Sequence, residues 1–252
     1  TAELSIHKII KDCPRILLKG EPGSGKTTLL KWIAVQAALA KFPVDLAEFN
    51  TTVPFFIKLR NFADHALPQP QDFPNLVAQA IIGLMPPKWV HEKLASGKAF
   101  VLIDGLDELP STRQEDVRKW LNDLTGTFPD ARYILSSRPS TISEQWHSFS
   151  KFEIAFLEPM ADWAIDMFID KWHVAVQELE DSLTEKQGLP SIALNLKKVI
   201  RDNKQILALA KTPLLCALIC ALHRDRMQHL PQDRIELYHA CTQMLVERRE
   251  RE

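Results

Sequence analysis

Short, nearly unbroken apolar runs alternate with longer helical patterns through the first part of the chain. Arg15 to Lys19 reads as a buried strand. A helix rich in Leu, Ala and Lys follows over Thr27 to Lys41 and must end before Pro43. Val53 to Leu59 is a second strand, and Asp72 to Leu84 and Lys88 to Ser96 read as helices parted by Pro86 and Pro87. Ala99 to Ile103 is a third strand. Ser111 to Leu124 is a helix that Ser111 and Gln114 open as a capping box. Arg132 to Leu135 and Lys151 to Ala155 add two more strands. Strands that are apolar throughout, alternating with helices, predict a parallel sheet covered on both faces.

After Leu157 the strand pattern stops. Met160 to Leu179 is helical, with Trp163, Ile165, Phe168 and Trp172 as its apolar stripe. Ile192 to Arg201, Lys204 to Lys211, Pro213 to Arg224 and Arg234 to Arg251 read as further helices. The expected class is therefore α/β, with a boundary near Glu158 and Pro159. An α/β domain over 1–157 precedes an all-helical part.

Composition adds exclusions. A chain of 252 residues with 46% hydrophobic and 25% charged residues is neither a disordered tail nor a disulfide scaffold. With 31 basic and 32 acidic residues, no global field draws it to nucleic acid or to an anionic membrane. The longest apolar run, Leu214 to Leu222, falls far short of the ~20 residues a membrane helix needs. No signal peptide opens the chain. The start at Thr1 and the charged helical ending suggest a segment of a longer protein. Cys13, Cys216, Cys220 and Cys241 form no C-x-x-C pair, and a reduced, cytoplasmic setting is the simpler expectation.

Glycine is scarce, 8 in all, yet Gly20, Gly23 and Gly25 fall together. The stretch Gly20, Glu21, Pro22, Gly23, Ser24, Gly25, Lys26, Thr27 matches the phosphate-binding loop, between a strand and a helix as that loop requires. Such a loop aims successive backbone N–H groups at phosphate oxygens, and the following helix adds its positive end. Lys26 is expected on the β- and γ-phosphates, the Thr27 hydroxyl on Mg²⁺ and Thr28 near the α-phosphate. Asp104 ends the apolar strand at the edge where parallel sheets bind ligands, and is the second expected Mg²⁺ group. Asp107 and Glu108 follow in the same loop, and either could orient or deprotonate an attacking water. Arg138 closes the strand Arg132 to Leu135 and could meet the γ-phosphate. On its own, an arginine there is as readily a surface residue.

Together GEPGSGKTT, FVLIDGLDELP and YILSSRP resemble the NACHT family of STAND NTPases. Val53 to Asn61 resembles that family's second strand. Lys211 to Leu215 resembles the motif whose proline, here Pro213, packs on the nucleotide base. Leu230 to Tyr238 resembles the opening helix of its winged-helix domain. The resemblance implies a P-loop NTPase domain over 1–157, a helical domain over 158–229 and a truncated winged helix over 230–252. It implies an ATP/ADP-binding, Mg²⁺-dependent ATPase, acting as a nucleotide-dependent oligomerisation switch in innate immune or anti-phage signalling. Slow turnover is expected because enclosing the γ-phosphate should take a closing domain or a neighbouring subunit. The effector and sensor domains of such a switch are expected outside this segment.

Alternatives remain open at this level. An AAA+ motor usually carries an Asp-Glu pair where Gly105 follows Asp104 here. A GTPase needs a guanine-specificity motif, which Asn195 to Lys198 does not supply. A scaffold that holds nucleotide without turnover is compatible with every motif. Cys216, Cys220 and His223 share one helix face and read as core rather than metal ligands. The six tryptophans read as core and helix-packing residues. Arg248 to Arg251 reads as a solvated face.

Overall fold

The computed structural model describes residues 6–76, 79–141, 151–226, 230–231 and 233–249. The chain divides into two compact units, residues 1–157 and residues 158–252.

The first unit is built on five strands: β1 (Arg15–Lys19), β2 (Val53–Lys58), β3 (Ala99–Asp104), β4 (Arg132–Ser137) and β5 (Glu153–Phe156). All pairings are parallel, in the order β2-β3-β4-β1-β5. Among the described residues four α-helices accompany them: α1 (Ile6–Asp12), α2 (Lys26–Leu39), α3 (Trp89–Ala95) and α4 (Gln114–Thr127). The apolar runs are continuous because each strand feeds two cores. Leu17, Val101, Ile103, Tyr133 and Leu135 enter one core with α3 and α4 residues such as Leu94 and Leu121. Ile16, Leu18, Leu102 and Ile134 enter the other with Leu30 and Ile33 of α2. Alternation along a strand sends neighbours to opposite faces, so a one-residue slip would exchange the two sets. Each fully buried aliphatic side chain contributes about 1.5–3 kcal/mol. Arg132 closes the amino-terminal side. Its guanidinium donates to the carbonyls of Ile10, Lys11 and Cys13 at 2.6, 3.1 and 3.3 Å and lies 4.4 Å from the Phe49 ring.

The second unit is helical: α5 (Asp162–Leu179), α6 (Leu183–Asp202), α7 (Lys204–Ala210), α8 (Pro213–Asp225) and α9 (Arg234–Arg249). Its core joins Ile165 and Ile169, Leu196 and Ile200, Ile219 and Cys220, and Leu237 and Met244.

Several elements depart from the sequence expectation. Asp72 to Leu84 is not one helix but two short 3₁₀ segments, Pro70–Leu76 and Gln79–Leu84. Pro74 lacks the N–H that an α-turn needs there. The Ser111/Gln114 capping box does not form. Ser111–Arg113 is a 3₁₀ turn, and α4 starts at Gln114 without a side-chain cap. Conversely, α6 begins well before Ile192 and runs through Pro190. Buried Leu189, Ala193, Leu196 and Ile200 lie along one face and override the proline. Trp163 is not part of the buried stripe of α5. It is 67% exposed, while Ile165 is buried with Ile169 and His173, and Phe168 and Trp172 pack partly buried against the same core. Trp146 lies outside the described residues. So do positions 250 and 251 of the charged ending and the side chains at 248 and 249. Helix α1 and the 3₁₀ segment Val44–Thr51 were not anticipated.

Candidate functional site

The segment between β1 and α2 turns at Pro22 and Gly23, and α2 begins at Lys26. Gly25 is the N-cap of α2, with φ 95°, a conformation that a side chain would strain. Helix α2 has no side-chain cap. Its first N–H groups, which a helix cannot satisfy internally, are left for an outside acceptor at the positive end of the dipole. The Lys26 ammonium folds back over its own loop and donates to the carbonyls of Gly20 at 2.6 Å and Glu21 at 3.1 Å. Burial pushes Lys26 below its usual range; the Asp107 carboxylate opposes this and the Arg138 guanidinium reinforces it. Inside the same loop Ser24 Oγ is buried without a hydrogen-bond partner among the described residues. Donors in excess of acceptors make this loop a fit for a polyanion.

Strand β4 separates β1 from β3, and it couples them at their carboxyl ends. Asp104, last residue of β3, is 8% exposed. The Thr27 hydroxyl donates to its Oδ2 at 2.8 Å, with Oδ1 at 3.1 Å. The Ser136 hydroxyl of β4 donates to Oδ1 at 2.7 Å and accepts the N–H of Gly105 at 2.9 Å. Two hydroxyls thus offset the cost of burying this carboxylate, which pairs with no cation among the described residues. A threonine hydroxyl and a carboxylate in contact are hard oxygen donors that suit Mg²⁺ alongside phosphate oxygens. Gly105, with φ 85°, turns the chain so tightly that a Cβ would lie 2.8 Å from Glu108 Cδ.

Beyond that turn the two remaining acids part company. The Asp107 side chain is 9% exposed; its Oδ2 meets Arg138 Nε at 2.7 Å and its Oδ1 accepts the Arg138 backbone N–H at 3.2 Å. Glu108 is 41% exposed and stands 4.0 Å from Arg60 Nε, a surface pair of small energetic weight. Residues 20–28, Asp104, Asp107, Glu108 and Arg138 are all carried at the carboxyl ends of β1, β3 and β4, the edge where parallel sheets bind ligands.

A model of the NACHT domain matches residues 14–175. The chain belongs to the NACHT family. It is a STAND-type P-loop NTPase domain, and nucleotide binding and hydrolysis are general properties of that class. No curated protein matches this NACHT chain in sequence. Among solved structures it is similar to PCH-2 of C. elegans, with 16% identity over 88% of this chain and 64% of that one, TM-score 0.42. It is similar to a Walker-type ATPase of Pyrococcus abyssi, with 12% identity over 88% and 71%, TM-score 0.43. A RuvB variant of Thermotoga maritima shows 18% identity over 92% and 61%, TM-score 0.42. The chain spans less than two thirds of the PCH-2 and RuvB chains.

Pro213 belongs to the helical unit, at the first position of α8, where its missing N–H costs nothing. Cys216, Cys220 and His223 are fully buried in α8, and His223 Nε2 meets Asn195 Oδ1 at 3.0 Å. No group of three His, Cys, Asp or Glu side chains suited to a metal exists among the described residues. No helix among them is long and apolar enough to cross a membrane. Ser136 was not singled out by its sequence. A serine late in a strand carries no spacing signal, and only the adjacency of β3 and β4 brings it to Asp104.

Proposed function

We propose that this NACHT domain binds ATP or ADP with Mg²⁺ and works as a slow ATPase whose nucleotide state switches a larger protein. The observation that carries the reading is the 2.8 Å contact between Thr27 of the glycine loop and Asp104 of β3, with Lys26 and an uncapped helix terminus beside it. Residues 20–28 cradle the phosphates, Lys26 adds a point charge, and Thr27 and Asp104 hold the metal. Mg²⁺ at that pair would neutralise charge that builds on the β- and γ-phosphate oxygens. Glu108, half-exposed and only weakly paired with Arg60, accepts the proton of the attacking water. Arg138 faces the γ-phosphate.

The family likeness carries the rest of the proposal. Residues 158–229 form the helical domain and 230–252 open a winged helix, with Pro213 packed on the base. Exchange of ADP for ATP then drives self-assembly in innate immune or anti-phage signalling, with effector and sensor domains supplied elsewhere. Turnover falls well below the ~10 s⁻¹ of a median enzyme, because closing the γ-phosphate from water takes a further domain or a neighbouring subunit.

Identification of the nucleotide released on denaturing the purified protein, with titration of ATP into the wild type and Lys26→Ala, tests this. ADP or ATP is expected, with affinity lowered at least about tenfold in the variant, roughly 1.4 kcal/mol. GDP, or equal ATP affinity in the variant, would overturn it.

A further inference from the structure

Adjacent acids of one turn seldom share one job. A water-activating carboxylate needs an accessible oxygen with a free lone pair. Asp107 has neither the exposure nor the freedom: both of its oxygens are taken by a single residue, Arg138. We infer that Asp107 is a positioning residue, which sets the Arg138 guanidinium for the γ-phosphate rather than activating water.

The grip is specific in two ways. It holds Arg138 by its backbone N–H and by Nε, so that the main chain and the near side of the guanidinium are fixed to one carboxylate. It also leaves the two terminal guanidinium nitrogens unengaged by any hydrogen bond among the described residues. Those nitrogens form a planar fork that matches two oxygens of one phosphate. Asp107 is largely enclosed while the Arg138 side chain is 52% exposed, so the anchor is buried and the working end faces outward. An unanchored, half-exposed arginine would sample many rotamers, and its capture by a phosphate would cost that freedom. Asp107 removes the cost in advance. The anchor also spans two strands. The turn after β3 holds the residue after β4, so the fork keeps a fixed place relative to Asp104.

This inference rests on the reading that Arg138 meets the γ-phosphate, and the test separates the two. The 252-residue chain, Asp107→Ala, Arg138→Ala and the double variant are compared for the ATP-to-ADP affinity ratio and for single-turnover hydrolysis. Arg138→Ala is expected to lower the ratio about tenfold, Asp107→Ala somewhat less, and the double variant no more than Arg138→Ala alone. Multiplying losses in the double variant would mean that Asp107 acts independently of Arg138 and would overturn the inference. So would an Asp107→Ala variant that keeps the wild-type ratio while Arg138→Ala loses it. An Arg138→Ala variant with unchanged ratio and hydrolysis would remove the γ-phosphate reading itself. Asp107→Asn keeps an acceptor for the backbone N–H and stands in where Asp107→Ala fails to fold. Its expected ratio lies between those of the wild type and Asp107→Ala, with the acid limb of the pH–rate profile retained. Loss of that limb would make Asp107 a base and overturn the proposal.

Discussion

Buried polar groups occur both at the carboxyl edge of the sheet and in the helical unit, but they are arranged differently. At the edge, Lys19, Asp104, Ser136 and Ser137 are buried at the ends of three strands. Two of them are joined across elements: Asp104 accepts from Thr27 and from Ser136, and Ser136 also accepts the Gly105 N–H. In the helical unit the buried polar side chains among the described residues are His173 and His223. His173 bonds a carbonyl of its own helix, and His223 meets an amide of α6. Burial alone therefore does not mark chemistry. What sets the edge apart is that hydroxyls from two other elements meet one carboxylate, which requires those elements to be held in register.

The largest effect expected from breaking that convergence is on turnover. Glu108→Gln keeps the shape of the side chain but removes the proton acceptor, and general-base loss typically costs 10²–10⁴-fold. ATP affinity and the thermal midpoint should hardly move, because Glu108 is half-exposed and pairs only weakly with Arg60. Single-turnover phosphate release measures the first and a melting curve the second. Normal hydrolysis would assign the water to another group and leave Glu108 a surface residue.

A smaller effect is expected at Ser136. Ser136→Ala leaves Asp104 Oδ1 with Thr27 as its remaining partner and the Gly105 N–H with none, a disturbance of about 1–3 kcal/mol. The carboxylate loses its fixed orientation, and half-saturation by Mg²⁺ should rise roughly tenfold. Ser137→Ala is the control. Ser137 is equally buried, yet its hydroxyl donates only to the carbonyl of Arg138 at 3.2 Å. Equal shifts in Mg²⁺ dependence from both variants would reduce Ser136 to a packing role.

That pair also shows what a sequence carries. The glycine loop, Asp104 and Arg138 were legible because each is a local signal: a spacing, or a polar residue that ends an apolar run. The parallel sheet was legible because strands buried on both faces read as unbroken apolar runs. Ser136 was not, since its contact with Asp104 depends on β4 lying beside β3, a fact of topology. The different surroundings of Asp107 and Glu108 were equally hidden, because they depend on the direction in which a tight turn aims two adjacent side chains. Local propensity misled where packing overrode it, as in α6 around Pro190, and where proline prevailed, as in Asp72 to Leu84.

The smallest expected effect lies in the helical unit and depends on protons alone. His173 is 3% exposed; its Nδ1 donates to the Ile169 carbonyl at 2.8 Å, so Nε2 is a buried acceptor with no donor among the described residues. Burial pushes its pKa below the ordinary 6.5. The Ile169 bond and Asp170 oppose this, while Arg224 and Lys197 add to it. The folded state therefore resists the proton that the unfolded chain accepts. Stability from this residue is complete above about pH 6.5 and is lost as pH falls through that value toward the lower folded pKa. Urea unfolding followed at about pH 8 and about pH 5.5 should show a lower midpoint at the acid end, and His173→Leu should lose less between the two. The nucleotide affinity of the variant should match the wild type, because His173 lies in the core of the helical unit, apart from the residues proposed to hold nucleotide. An identical acid loss in His173→Leu would place the proton uptake on carboxylates elsewhere, and the isolated buried histidine would then be silent in stability as well as in chemistry.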